Sequence, residues 1–159
     1  MLNFQMIFDY LRVLGINVNI LGLMTDDAYP LFGCAIQKVF QQDQLSAIVN
    51  HNGRKLTSEQ FTVKDMVLFG YNPNYHTIMV NCSAGISPAQ QIHTLVHEYI
   101  HVLQWEFEFK EFAIPPNMVH NSIIWKQYCR FFGLEMETSD ETKIIQGGRT
   151  YKTIVSLLS

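Results

Sequence analysis

SPAQQIHTLVHEYIHVLQ, residues 87–104, is the stretch from which the rest of the chain can be read. Ser87 is a good helix N-cap, Pro88 suits a first helical position, and Gln90 completes a capping box. The pattern predicts a helix from 88 to about 110, stopped by Ala113-Ile114-Pro115-Pro116. Inside it stands His97-Glu98-Tyr99-Ile100-His101, the pattern H-E-x-x-H. Residues i and i+4 share one helix face a turn apart, so the two imidazoles can converge on one metal ion. Glu98 then points beside the ion, where it can take a proton from water.

A catalytic zinc site takes three protein ligands, so a third donor is required. His93 lies on the same face, but it is about 12 Å along the axis from His101 and cannot share the ion. Glu108, about 10 Å beyond His101, is too far without a helix break, and Glu106 and Glu111 fail similarly or point elsewhere. His51 and His76 fall in a strand-rich region, where histidines are more often structural; His76 can still line a cleft. His120 is the preferred third ligand, because the double proline turns the chain back and His120 begins the next helix.

Outward from this stretch, Phe4, Ile7, Phe8, Leu11 and Leu14 predict an opening amphipathic helix over 2–14, capped by Gly15. Residues 31–42 read as a second, weaker helix. Residues 45–80 are β-branched and aromatic, with Asn52-Gly53 and Asn72-Pro73-Asn74 as turns, and predict a small, mostly antiparallel sheet ending in a strand over 77–81. Asn117 is a candidate cap for a last helix over about 118–132, closed by Gly133. The tail, 136–159, carries a hairpin signal around Gly147-Gly148. The fold class is α+β in a single domain over 1–159, with its core over about 31–135.

The 159 residues are 48% apolar and 16% charged, a globular composition with enough chain for a real core. The net charge of −3 lacks the basic excess of a phosphate-binding surface, which weighs against nucleic acid as the partner. Cys34, Cys82 and Cys129 form no paired spacing and read as free thiols of a reducing compartment. The opening MLNFQMIFDYLR does not resemble a signal peptide, and Val13–Met24 is too short and polar to span a bilayer. These features predict a cytoplasmic protein with no membrane partner.

Thr94-Leu95-Val96-His97-Glu98-Tyr99-Ile100-His101 resembles the active-site helix of the SprT-like zinc metallopeptidases, the family that includes the Spartan proteases. Their third histidine opens a segment of the form H-G/N-x-x-F/W that leads through a short helix to Gly-Leu/Ile. His120-Asn121-Ser122-Ile123-Ile124-Trp125, running on to Gly133-Leu134, is similar, with the aromatic one position later. The resemblance covers about residues 75–135 and implies a zincin-like fold, with the strand over 77–81 as an edge strand above the cleft. It also implies Zn²⁺ as the cofactor, held by His97, His101 and His120. The family's C-terminal cysteine ribbon and basic DNA-engaging regions are missing, so its DNA association does not carry over. The ImmA/IrrE-type metallopeptidases also carry H-E-x-x-H after a strand but take a downstream carboxylate as third ligand; here Glu135, Glu137 or Asp140 would have to serve.

The expected activity is zinc-dependent hydrolysis of a protein or peptide substrate, with Glu98 as general base and then acid. Tyr71, Tyr75, His76, Tyr128 and Arg149 are candidates for oxyanion or substrate contacts. The strand over 77–81 is a candidate for pairing with an extended substrate. The alternatives are an ImmA/IrrE-type regulatory peptidase and a non-catalytic zinc-containing protein-binding module.

Overall fold

A computed structural model describes residues 9, 12, 15–23, 33–38, 74–82, 85–110, 112–135 and 143–144. Most of the predicted opening helix, the Asn-Gly turn and the Gly147-Gly148 hairpin lie outside these residues, although Asp9 is helical and Gly15 has the positive φ of 73° that suits a helix end.

Three strands, β1 (Val18–Leu23), β2 (Gly33–Ile36) and β3 (His76–Asn81), form one sheet in the order β1-β3-β2. β3 runs parallel to β1, with Val18 opposite His76, and antiparallel to β2, with Ala35 opposite Ile78. Among the described residues the sheet is therefore mixed, and the strands expected over 45–73 lie outside them. The expected helix over 31–42 is corrected: Gly33–Ile36 is a strand. Phe32, Ala35, Ile36, Val39 and Phe40 do fall at helical spacing, but Gly33 weakens that local preference and pairing with β3 overrides it.

β3 is the central strand, so the expectation that residues 77–81 form a cleft edge is also overturned. All six of its residues are buried, as befits a strand covered on both faces. Among the described residues β2 is the edge strand on the side of the long helix. Its Gly33 permits a close approach: a Cβ there would lie 2.3 Å from Met79 O and 2.5 Å from Thr94 Cγ2.

Helix α1 (Pro88–Gln104) packs on β2 and β3. Ser87 caps it as expected, its Oγ accepting from the Gln90 N–H at 3.1 Å, an arrangement worth about 1 kcal/mol. The reciprocal half of the capping box does not form; the Gln90 side chain donates through Nε2 to Thr94 Oγ1. Ile92, Leu95, Val96, Tyr99, Ile100, Val102 and Leu103 enter the core with Val18, Ile20, Ile78 and Val80 of the sheet. The Tyr99 hydroxyl donates to Ile16 O at 3.1 Å, so the largest polar-tipped ring of this face is satisfied.

The helical path continues as a π-helical segment, Trp105–Phe109, and ends at Lys110, whose φ of 38° turns the chain. A 3₁₀ turn, Pro116–Met118, precedes helix α2 (Ile123–Phe132). The last helix thus starts five residues later than the pattern suggests, and Ser122, not Asn117, caps it by accepting from the Trp125 N–H. Gly133 closes α2 in the left-handed conformation, as expected. β4 (Leu134–Glu135) pairs antiparallel with β5 (Lys143–Ile144). Trp125, Cys129 and Phe132 carry α2 into the same core as α1. All three cysteines are free thiols. Among the described residues no helix is long and apolar enough to cross a membrane.

Candidate metal centre

Helical spacing on α1 brings His97 and His101 together, with their Nε2 atoms 3.2 Å apart. His120 joins them from the turn before α2, rather than from the helix itself. One ligand nitrogen from each of the three lies within 4.8 Å of the other two, close enough for all three to hold one metal ion. Two nitrogens bound at 2.0–2.1 Å to one tetrahedral ion sit about 3.4 Å apart, so the His97–His101 separation fits a shared ion.

The proton positions fit as well. Gln104 is fully buried one turn beyond His101. Its Nε2 donates to Val119 O and Ser122 Oγ, both at 2.9 Å. Carbonyl oxygens only accept, so the amide nitrogen must face Val119 and Oε1 must face His101. His101 Nδ1, 2.7 Å from that oxygen, therefore carries the proton, and its Nε2 presents a lone pair to His97. That lone pair can accept from a His97 Nε2–H or, with the His97 proton on Nδ1, share one cation with it.

Burial keeps these rings neutral. The His97 pKa falls to about 2, first through burial and then through the neighbouring histidines. That of His101 falls to about 4, again chiefly through burial, with the Gln104 bond opposing. Neutral imidazole is the form that binds metal.

Trp125 is the common floor of the cluster. It is 1% exposed, stacks on His101 at 4.8 Å between ring centroids, and meets His97 and His120 edge-on at 5.0 and 4.8 Å. A dry aromatic wall limits the positions these rings can take.

Glu98 stands beside the cluster, with Oε1 3.9 Å from His97 Nε2. Burial pushes its pKa up to about 8, while a hydrogen bond from the Ala35 N–H acts in the opposite sense. The carboxylate thus sits between the histidine helix and β2, which is an edge strand among the described residues.

The other predicted site residues fall elsewhere. Both ring nitrogens of His76 are committed: Nδ1 accepts from the Lys38 N–H at 2.9 Å, and Nε2 donates to Glu106 Oε1 at 2.9 Å. Its role in the described residues is to tie β3 to the end of β2 and to the π-helical segment. Tyr128 makes its ring contacts with Phe131 and Phe132. Tyr75 lies half-buried ahead of β3, its carbonyl accepting from Asn19 Nδ2. Glu108 accepts from the Ile124 N–H at 2.7 Å, tying the π-helical segment to the first turn of α2. Tyr71, Arg149, His51, Glu111, Glu137 and Asp140 lie outside the described residues.

Two residues of the site were not singled out from the sequence. Gln104 had a legible signal, a polar residue three positions after the second histidine on a helix, where its side chain reaches back along the same face. Ala35 had none, because a backbone amide is available at every non-proline position.

Compared with protein-family models, with curated proteins and with solved structures, the chain matches none.

Proposed function

We propose that this chain is a zinc-dependent peptidase with a zincin-like core of the SprT-like type. The observation that carries the reading is the joint placement of three imidazoles within 4.8 Å of one another and of the Glu98 carboxyl 3.9 Å from the first of them. His97, His101 and His120 would hold the ion, an all-imidazole donor set that suits zinc. His120 fills the third place, since it stands in the cluster, in preference to a carboxylate from Glu135, Glu137 or Asp140. When bound, zinc supplies Lewis acidity to the carbonyl that is attacked and acidifies water.

The protein's own groups do the rest. Glu98 accepts the proton of the attacking water and returns it to the departing amine, so one carboxylate serves as base and then acid. The outward edge of β2, next to Glu98, supports binding of an extended peptide by strand addition, with backbone hydrogen bonds that do not depend on side-chain identity. This moves the substrate strand from β3, which is central, to β2.

The test is direct. Elemental analysis of purified chain should give about one zinc per molecule, and a general protein substrate such as casein should be cleaved. Glu98→Gln should keep the zinc and lose cleavage by at least 100-fold, in keeping with the worth of general base catalysis. A zinc-bound wild type that cleaves nothing would favour a binding module instead.

A further inference from the structure

We propose that His93 is a substrate-binding residue of this peptidase, its Nε2–H donating to an acceptor on the bound peptide two residues from the bond that is cut. The proposal rests on the peptidase reading above.

His93 shares the α1 face of His97, with ring centroids 5.9 Å apart, but stands one turn nearer the helix start. Its Nδ1 is buried and has no hydrogen-bond partner. A buried N–H without a partner is rarer and costlier than a buried lone pair. The proton of the ring therefore sits on Nε2. The residue is only half-buried, and among the described residues nothing takes up the Nε2–H. Among the described residues the ring is thus a donor without a protein acceptor, beside the proposed ligands.

The strand gives this donor its place. Gly33 of β2 abuts Thr94, and the Ala35 amide reaches Glu98. β2 and α1 thus run in the same sense along the cleft. His93 lies five helix residues before Glu98, about 7.5 Å along the axis, the length of about two strand residues. A peptide lying along β2 with its scissile bond at Glu98 therefore passes His93 two residues away.

The experiment compares the zinc-loaded full chain with His93→Ala and His93→Gln, whose amide restores an N–H. Casein cleavage gives KM and kcat, and inhibition constants are measured for tripeptide hydroxamates that extend to either side of the chelating group. For His93→Ala, zinc content and kcat should hold. KM and the inhibition constant of one hydroxamate should rise about 3- to 10-fold, the worth of one neutral hydrogen bond, and His93→Gln should recover most of the loss. Equal constants in all three proteins would overturn the proposal, as would zinc loss in His93→Ala or a fall in kcat alone. If the wild type binds hydroxamates without cleaving casein, the peptidase reading fails, and their dissociation constants, read by calorimetry in the three proteins, still decide the role of His93. If it binds neither, both fall.

Discussion

Gln104 does two jobs with one amide, and each depends on the other. By donating to Val119 O and Ser122 Oγ it holds the turn that carries His120, and this orientation forces its oxygen onto His101 Nδ1. The ring of His101 is then left with its lone pair on the nitrogen that faces His97. Outer residues of this kind commonly account for 10- to 100-fold in metal affinity. Gln104→Ala should therefore weaken zinc binding by about that factor, read by competition with a chromophoric chelator. Gln104→Glu should be no better: its carboxylate would accept from His101 but would face the Val119 carbonyl with a second acceptor. Affinity unchanged in both variants would show that the histidines are oriented by packing on Trp125 alone.

At the scale of elements, the buried polar ties converge where β2 and the π-helical segment end. His76 at the head of β3 joins Lys38 to Glu106, and Gln37 Nε2 donates to Lys110 O at 2.8 Å. These bonds hold the edge strand against the helix that carries the histidines. They also make the junction sensitive to acid. Burial lowers the His76 pKa, against the opposing pull of Glu106, and a second proton on the ring would break the bond from the Lys38 N–H. An unfolded histidine titrates near 6.5. Above that pH neither state is protonated at this ring, and the full stability is present. As the pH falls below it, the unfolded chain takes up a proton that the folded chain refuses, and stability is lost. His93, His97 and His101, also lowered by burial, act in the same sense, while Glu98, raised by burial, acts in the opposite one. In the metal-free protein, Tm should drop between pH 7 and pH 5. His76→Asn, which keeps an acceptor for Lys38 but cannot titrate, should start from a lower Tm and drop less. Equal drops in the two proteins would remove His76 from the account.

Across the whole molecule, the three histidines come from two segments that are otherwise joined by the α1–α2 packing around Trp125. An ion bound there would cross-link the long helix to the turn before α2 in the folded state only. Ligand linkage then gives about 2.7 kcal/mol of added stability at free zinc 100-fold above its Kd. Chelation should lower Tm by several degrees, and zinc alone should restore it, followed by calorimetry on the same sample. His120→Ala should lower the starting Tm of the zinc-loaded chain and make it nearly indifferent to chelator. A Tm that does not respond to chelator in the wild type would mean that no ion links these segments.

The sequence by itself determined what is local. The cap at Ser87, the helix that follows, the pairing of His97 with His101 and the Gly133 ending all depend on residues within a turn or two of one another, and the physics of a single helix is enough to read them. His120 was legible because a double proline breaks the chain before it and a matching segment follows it. Tertiary structure alone decided the rest. Gly33–Ile36 became a strand because β3 offered a ladder, not because its residues demanded one, and β3 became central because β1 took its other side. The same pairing committed His76 to Lys38 and Glu106, turned the Ala35 amide toward Glu98, and made β2 the edge along the cleft. Hydrogen bonds between residues tens of positions apart are written in no local pattern; they exist only once the core has brought the segments together.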